Sequence, residues 1–332
     1  MTEAQGSIFI LSGEELTLPL AETKALVLTC SPSAILSQFG SRIVLSSVRD
    51  ENLVAKITQR GAYTRFGGVL VSKSNDLLSL AKSLEISKDA TFAVRSYSLP
   101  MEKCGELGAQ IKSKTSAKVS LENPELLFHV ESVPEGYVLG VAKGYKEFSW
   151  RERRPRARRF FLPSAIYPKL ARALVNLSQV KEGETFLDPF CGTGSLLIES
   201  SLMGMRTIGI DITRWIARGA LLNLKGFRLE FDSILRGDSR SFLPFSKIHG
   251  VSTDVPYGRA SSTKGKSTSE ILDGFLSGIA KCLDSSRICV VMHPSTIDIR
   301  ERIEGNSFEL QEQHLIYVHR NLTRAISVLR KR

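Results

Sequence analysis

The sequence has few cysteines, no long apolar run, and no leader in which a basic start precedes an apolar block. The five cysteines are scattered over 332 residues and never form a C-x-x-C pair, which argues against a disulfide framework or a cysteine-rich zinc site. No apolar run approaches the ~18 residues that a membrane-spanning helix needs. The first thirty residues contain four glutamates and lack the order of a secretory signal. These absences predict a cytoplasmic protein without a membrane partner.

Basic side chains outnumber acidic ones. The 45 lysines and arginines against 34 aspartates and glutamates give a formal net charge of +11, which favours a polyanionic partner such as nucleic acid. Residues 151–159 hold six arginines and one glutamate, although a solvated basic loop is an alternative explanation of this run. The stretch 260–269 is rich in Ser, Thr, Lys and Gly, which predicts a mobile loop. The candidate phosphate contacts are Arg151, Arg153, Arg154, Arg156, Arg158, Arg159, Lys264 and Lys266.

The arginine run, with Pro155 inside it, is also the predicted domain boundary. Before it, short strands and helices predict one or two small α+β units and not one large sheet. After it, strand, loop and helix repeat, which predicts a doubly wound parallel sheet of the α/β class. Two apolar runs, 314–319 and 325–329, predict an antiparallel hairpin at the edge of that sheet.

Four acidic residues follow predicted strands of the second half, where ligands of doubly wound sheets bind. They are Asp188, Asp211, Asp238 and Asp254. Asp188 precedes a turn with glycines at 192 and 194, which let the backbone approach a ligand closely. Asp211 lies 23 residues after Asp188, near the ~20-residue spacing at which a carboxylate binds a ribose hydroxyl. The turn alone would also suit a nicotinamide cofactor, although the third glycine of G-x-G-x-x-G is absent.

The stretch 254–258, Asp-Val-Pro-Tyr-Gly, follows the last of these strands. The exocyclic amine of a base is a poor nucleophile because its lone pair is delocalised into the ring. If the Asp254 carboxylate and a neighbouring main-chain carbonyl accept its two N–H groups, the lone pair can point at the methyl sulfonium of S-adenosylmethionine. Tyr257 would offer a face on which an extruded base stacks. A plain β-turn would explain Pro256 and Gly258 but not the acid paired with an aromatic residue, so the stretch favours amine methylation.

Motifs of the second half together resemble a known family. Residues 188–195 are similar to motif I of class I S-adenosylmethionine methyltransferases, and 254–257 are similar to their D-P-P-Y amino-methyltransferase motif. Residues 160–165 and 168–177 resemble the stretch that enters the catalytic domain of the archaeal tRNA guanosine-10 N2-methyltransferases. The combination is more specific than any one of these motifs.

The first half resembles the RNA-binding part of the same family. Phe92-x-Val94-Arg95 and residues 118–125 are similar to a THUMP domain, and Ser12-Gly13-Glu14 resembles the start of the ferredoxin-like domain that precedes it. The resemblance implies a Rossmann-like methyltransferase domain preceded by α+β ferredoxin-like and THUMP domains. The predicted bounds are 1–52 for the ferredoxin-like domain, 53–150 for the THUMP domain, 151–165 for a basic linker and 166–332 for the methyltransferase domain.

The resemblance also implies roles for matching residues. Asp188, Gly192 and Gly194 would hold the methionine end of S-adenosylmethionine, Asp211 its ribose hydroxyls and Asp238 its adenine amine. The predicted cofactor-binding set further includes Phe161, Pro163, Ile212 and Ser239. The predicted catalytic residues are Asp254, Val255, Pro256 and Tyr257. Val255 departs from the family pattern, which has proline there, but valine still supplies the main-chain carbonyl and Pro256 holds it extended, so we expect little harm.

These observations predict S-adenosylmethionine-dependent methylation of the N2 amine of a tRNA guanosine, at position 10, with one or two methyl groups added. An in-line displacement needs no metal. The tRNA is the expected partner, and DNA is disfavoured by the THUMP-like half. The sequence leaves open whether a small activating protein subunit is needed, as it is in some relatives. Two alternatives are a guanine-N2 methyltransferase of another tRNA position or of ribosomal RNA, and a non-catalytic RNA-binding protein that retains the fold.

Overall fold

The computed structural model describes residues 6–15, 17–82, 84–143, 149–240, 247–257, 267–305, 307–319 and 322–332. The chain divides into two compact units, 1–148 and 149–332. The strands of the first unit are β1 (Ser7–Leu11), β2 (Leu36–Gln38), β3 (Ile43–Ser46), β4 (Thr64–Ser74), β5 (Thr91–Arg95), β6 (Lys118–Val119), β7 (Leu126–Val133) and β8 (Gly136–Lys143). Its helices are α1 (Leu18–Cys30), α2 (Glu51–Arg60) and α3 (Met101–Thr115).

The first unit contains one eight-stranded sheet in the order β2-β3-β1-β4-β8-β7-β5-β6. The expectation that this half has no large sheet is therefore wrong. The reason is the long strand β4, which pairs antiparallel with β1 on one side and with β8 on the other. The sheet thus continues across the predicted boundary between residues 52 and 53, and the division into two domains at that point stays a prediction.

The second unit alternates strands and helices. Its strands are β9 (Thr185–Asp188), β10 (Arg206–Asp211), β11 (Ser233–Arg236), β12 (Gly250–Asp254), β13 (Ile288–Pro294), β14 (Phe308–His319) and β15 (Leu322–Lys331). Its helices are α4 (Pro168–Leu177), α5 (Ser195–Leu202), α6 (Arg214–Gly226), α7 (Thr268–Ile279) and α8 (Ile299–Ile303). Among the described residues of both units, no helix combines the length and the apolar character that a membrane crossing requires.

The second sheet has the order β11-β10-β9-β12-β13-β15-β14. Strands β9 to β13 are mutually parallel, and β15 and β14 form an antiparallel hairpin at the edge. The predicted doubly wound α/β sheet and the predicted edge hairpin are both confirmed. The order reverses between β9 and β12, and such a switch point opens a crevice beyond the carboxyl ends of the strands.

The segment that enters the second unit is anchored to α6. The Phe160 amide donates to Asn223 Oδ1 at 2.9 Å, and Asn223 Nδ2 donates to the Phe160 carbonyl at 2.7 Å. A Cβ atom on Gly219 would lie 2.1 Å from the Phe160 ring, so the helix needs glycine at this contact. Asn223 Nδ2 also donates to the carbonyl of Thr193 at 2.9 Å. One buried amide therefore joins the entry segment, α6 and the turn after β9.

Candidate active site

Four acidic residues lie at one edge of the second sheet. Asp188, Asp211 and Asp254 end β9, β10 and β12, and Asp238 follows β11 by two residues. Because these strands are parallel neighbours, their carboxyl ends share the edge at which the strand order reverses. The structure thus brings together the four acids that the sequence singled out.

The turn after β9 is shaped by glycine and held by Asp211. Gly192 and Gly194 have φ values of +52° and +82°, which side chains other than glycine adopt only at a cost. The nearest heavy atom to a Cβ placed on Gly192 would be 4.0 Å away, so space for a ligand is open there. Asp211 Oδ2 accepts the Gly192 N–H at 3.2 Å, and its Oδ1 accepts the Thr213 N–H at 2.7 Å. Asp211 therefore ties the turn to the end of β10.

Asp188 is buried below this turn, with 1% of its surface exposed. Its Oδ1 accepts the Thr253 hydroxyl at 2.8 Å and the Phe190 N–H at 3.2 Å. Burial raises the pKa of Asp188 to about 7; these two hydrogen bonds lower it, while the nearby carboxylates of Asp254 and Asp211 raise it further. Through the Thr253 hydroxyl, Asp188 links the end of β9 to β12 beneath the turn.

An Asp188→Asn variant should be more stable than the wild type at neutral pH. The asparagine carbonyl oxygen can accept both hydrogen bonds of Oδ1 without a buried charge. The folded-state pKa of about 7 lies above the ordinary value of 3.8, so the wild type loses stability as the pH rises from about 4 to 7. The advantage of the variant should grow by at most about 1.4 kcal/mol per pH unit in that window.

Urea unfolding followed by tryptophan fluorescence measures this difference. Both tryptophans, Trp150 and Trp215, belong to the second unit, so their signal reports on that unit. A variant whose free energy of unfolding differs from that of the wild type by the same amount at pH 5 and pH 8 would contradict the raised pKa.

Asp254 presents one carboxylate oxygen without a protein partner. Its Oδ1 is buried and accepts no hydrogen bond from any described residue, while its Oδ2 lies 3.3 Å from Arg324 Nη1. Burial raises the pKa of Asp254 to about 7, and the charge of Arg324 opposes the rise. A buried acceptor without a donor costs stability, so its place at the crevice indicates an acceptor kept for a ligand.

Val255 is compatible with its position. Its amide donates to the Met292 carbonyl at 3.0 Å, which continues the pairing of β12 with β13. Proline at 255 would lack this hydrogen bond. The valine side chain is fully buried in the core between the sheet and α7. The structure thus shows that valine fits this position, and its effect on activity stays a prediction.

Tyr257 and Arg324 complete this part of the site. Arg324 lies on β15, and its guanidinium carbon is 5.1 Å from the centre of the half-buried Tyr257 ring. In the sequence, Arg324 flanks the turn of the predicted edge hairpin, where it could contact either an RNA phosphate or only solvent. The structure instead places it beside Asp254, with its side chain 13% exposed.

A cleft lies beside the 254–257 stretch, at Pro256. It is lined by Phe190, Ile212, Gly237, Asp238, Ser239, Arg240, Pro256 and Ile271. Asp238 is paired with Arg240, whose Nε donates to Asp238 Oδ1 at 2.8 Å. The Ser239 hydroxyl donates to the Pro189 carbonyl at 2.5 Å, so this side chain holds the turn.

Phe161 and Pro163 are exposed and are not among the residues that line this cleft. Their cofactor-binding roles stay predictions. Arg240 and Phe190 are site residues that sequence reasoning did not select. Arg240 lies only two residues after Asp238, a spacing that could have indicated the pair.

The arginine run separates into structural and exposed members. Arg158 is 6% exposed, and its guanidinium donates to the Arg153 carbonyl at 3.0 Å, the Ser195 hydroxyl at 2.7 Å and the Ile166 carbonyl at 3.3 Å. Arg153 Nε donates to buried Glu199 at 2.8 Å. These contacts correct the prediction for Arg158 and Arg153, because their guanidinium groups hold the entry segment against the domain. The exposed members are Arg151, Arg154, Arg156 and Arg159, and the predicted contacts Lys264 and Lys266 lie outside the described residues.

Known proteins match the chain along its length. The family model "UPF0020: RMKL-like, methyltransferase domain" matches residues 155–326. The chain is 32% identical over 336 residues to tRNA (guanine(10)-N2)-dimethyltransferase of Methanothermobacter thermautotrophicus, covering 97% of this chain and 98% of that protein. It is 34% identical over 258 residues to the protein of the same name from Methanocaldococcus jannaschii, covering 75% and 69%. The crystal structure of TrmN from Thermus thermophilus shares the fold, with a TM-score of 0.53, 16% identity, and 98% and 99% of the two chains covered.

Proposed function

Because the chain belongs to the family of the tRNA (guanine(10)-N2)-dimethyltransferases, we propose that it transfers methyl groups from S-adenosylmethionine to the N2 amine of guanosine 10 in tRNA. The observation that carries this proposal is Asp254 Oδ1, a buried acceptor that no described residue satisfies, at the end of β12. It lies in the same stretch as Tyr257, where an aromatic face can receive a base.

The crevice fits S-adenosylmethionine, which supplies the methyl group when bound. The open space beside Gly192 lets the cofactor approach the backbone of the turn. Asp188, Gly192 and Gly194 would hold its methionine end, Asp211 its ribose, and Asp238 with Ile212 its adenine. Asp211 can accept ribose hydroxyls while its two present N–H donors keep the carboxylate in place.

Asp254 and Val255 orient the target amine. Asp254 Oδ1 accepts one N–H of the guanine N2 group, and the Val255 carbonyl accepts the other, which turns the nitrogen lone pair out of the ring plane. The carboxylate stabilises the positive charge that develops on nitrogen. A carboxyl group with a pKa of about 7 can then take up the proton that the methylated nitrogen releases.

A second methyl transfer uses the same geometry. The monomethylated amine still has one N–H, and Asp254 Oδ1 can accept it, while the Val255 carbonyl loses its partner. We therefore propose that N2,N2-dimethylguanosine is the final product. This agrees with the names of the relatives, which are dimethyltransferases.

The exposed arginines of the entry segment and α6 form the proposed tRNA surface of the second unit. Helix α6 carries exposed Arg214, Arg218 and Lys225 and no acidic residue, and Trp215 is 57% exposed between the two arginines. Arg214 lies at the N-terminus of α6, where a cation opposes the helix dipole and a bound anion would offset that cost. The Phe160 ring packs edge-on against Trp215 at 5.7 Å, which brings the entry segment onto this helix. The phosphates of tRNA suit this surface.

Arg156→Ala and Arg158→Ala should separate RNA binding from stability. Arg158→Ala leaves three acceptors without their donors and should lower the free energy of unfolding by about 2 kcal/mol. Exposed Arg156→Ala should change stability by less than about 0.5 kcal/mol. It should instead weaken tRNA binding and reduce the slope of log Kd against log salt by about 0.7–0.9. Equal losses in the free energy of unfolding in the two variants would contradict the separation of the arginine run into buried structural members and exposed members.

Methyl transfer to tRNA transcripts tests the proposed function. We expect incorporation from labelled S-adenosylmethionine into a transcript with guanosine at position 10, and none into the same transcript with adenosine there. Equal incorporation into the two transcripts would point to methylation of another guanine. No incorporation despite measurable cofactor binding would point to another RNA or to an absent activating subunit.

A further inference from the structure

Arg324 contacts both side chains that the proposed mechanism uses. It lies on β15, opposite Pro294 of β13, and its side chain passes Met292, whose Sδ is 4.0 Å from Nη1. The same Nη1 lies 3.3 Å from Asp254 Oδ2, and the guanidinium carbon is 5.1 Å from the Tyr257 ring centre. The contact therefore spans from the edge hairpin to the end of β12.

The burial of Arg324 is costly and calls for a physical reason. Its side chain is 13% exposed, and its Nε is a buried donor without an acceptor among the described residues. A buried donor of this kind destabilises a fold, and an arginine near a hairpin turn could have extended into water. The position of Arg324 is thus explained by its contacts with Asp254 and Tyr257 and not by solvation of the guanidinium.

This contact gives the two carboxylate oxygens of Asp254 different environments. Oδ2 faces the positive charge of Arg324, whereas Oδ1 has no partner among the described residues. A carboxylate held by one oxygen cannot rotate freely, so the other oxygen keeps one direction. The guanidinium also lies against the Tyr257 ring, where a cation is attracted to the aromatic face.

We propose that Arg324 is a positioning residue for methyl transfer, which fixes Asp254 by Oδ2 and Tyr257 by its ring so that Oδ1 is directed at the target amine. This inference rests on the proposed function. It adds a residue of the edge hairpin to a site otherwise built from the parallel strands. Arg324 itself does not contact the reacting atoms.

Arg324 also provides a positive charge that favours the ionised form of Asp254. Burial raises the pKa of Asp254 to about 7, and Arg324 lowers it. The other titratable groups nearby are the Asp188 carboxyl and the Tyr257 phenol, and the pKa of each is raised by the charge of Asp254 as well as by burial. Of these three neighbours, only Arg324 favours the charged form of Asp254. Its removal should therefore shift the pH dependence of methyl transfer to higher pH.

Arg324→Gln and Arg324→Lys, with Arg330→Gln as control, test the proposal. Arg330 is an exposed arginine on the same strand, six residues further on, so it lies on the same face of the strand. We expect Arg324→Gln to lower the single-turnover rate at pH 7 about tenfold and to raise the midpoint of its pH profile by about one unit. Arg324→Lys keeps the charge but not the planar fork, so its rate should fall with the midpoint unchanged.

The readouts separate positioning from a merely structural role. The Kd values for S-adenosylmethionine and for tRNA should stay within about threefold of the wild type in both variants, and Arg330→Gln should match the wild type throughout. A wild-type midpoint in Arg324→Gln, or a rate equal to that of the wild type, would overturn the inference. If Arg324→Gln fails to fold, an Arg324→Lys variant with a wild-type rate overturns it equally. Wild-type methylation of the transcript at an atom or position other than N2 of guanosine 10 would instead refute the proposed function.

Discussion

An Asp254→Asn variant is expected to lose methyl transfer by about 10³-fold or more while it binds tRNA and S-adenosylmethionine as the wild type does. Asparagine has nearly the same shape, so the packing of the site stays. Its amide nitrogen cannot accept an N–H, and its neutral oxygen gives weak stabilisation to positive charge on the target nitrogen. Single-turnover kinetics at saturating tRNA and cofactor isolate the chemical step, and filter binding with titration calorimetry gives the two Kd values.

Asp273→Asn is the matched control for this variant. Asp273 lies on α7 in an exposed ion pair with Arg302, at 3.1 Å, and has no contact with the crevice among the described residues. We expect its methyl-transfer rate to equal that of the wild type. Turnover of Asp254→Asn within tenfold of the wild type would mean that the carboxylate does not activate the amine, and the proposed mechanism would fail.

An Asp211→Asn variant is expected to weaken S-adenosylmethionine binding by about 10- to 100-fold. The Asp211 carboxylate accepts the N–H groups of both Gly192 and Thr213, and an asparagine side chain can accept only one of them at its oxygen. A hydrogen bond to a charged group contributes about 1.5–3 kcal/mol, and the turn would lose its shape together with a ribose contact. Titration calorimetry with S-adenosylmethionine measures the change directly.

Asp232→Asn serves as the control for cofactor binding. Asp232 precedes β11, at the amino end of that strand and so away from the crevice. It forms an ion pair with exposed Arg206 at 2.8 Å. Its substitution should leave the Kd for S-adenosylmethionine unchanged. If Asp211→Asn also binds the cofactor with wild-type affinity, Asp211 contributes to cofactor binding neither by supporting the turn nor by contacting the ribose.

The crevice was predictable from the sequence because its parts are local. A short apolar run that ends in an acid and a glycine-rich turn determines where a strand stops and which groups stand at its end. Asp188, Asp211 and Asp254 follow that pattern, and the structure places all three at the carboxyl ends of parallel strands. The hairpin of β14 and β15 was predictable for the same reason.

The eight-stranded sheet of the first unit was not predictable in this way. It depends on β4, whose partners β1 and β8 lie more than fifty residues away along the chain in one direction and more than sixty in the other. Pairing over such distances leaves no local pattern.

Helix α7 was missed although its start has a local signal. Ser267 and Glu270 form a capping box at the end of a stretch that composition predicts to be a loop.

Individual arginines could not be assigned from the sequence. The run at 151–159 predicts one basic segment, but burial separates its members. Arg158 and Arg153 donate to acceptors inside the second unit, whereas the four other arginines are exposed. Arg324, in contrast, was not predicted as a site residue but contacts the site. Its neighbours Asp254 and Tyr257 are about seventy residues earlier in the chain, so only the fold brings the three together.

Mass spectrometry of the nucleosides formed on a tRNA transcript tests the central claim most directly. The purified chain is incubated with transcript and S-adenosylmethionine, and the modified nucleosides are identified and mapped. We expect N2-methylguanosine at early times and N2,N2-dimethylguanosine at late times, both at position 10, and neither in a parallel reaction with Asp254→Asn. Methylation of another atom or position, or an active Asp254→Asn reaction, would contradict the account.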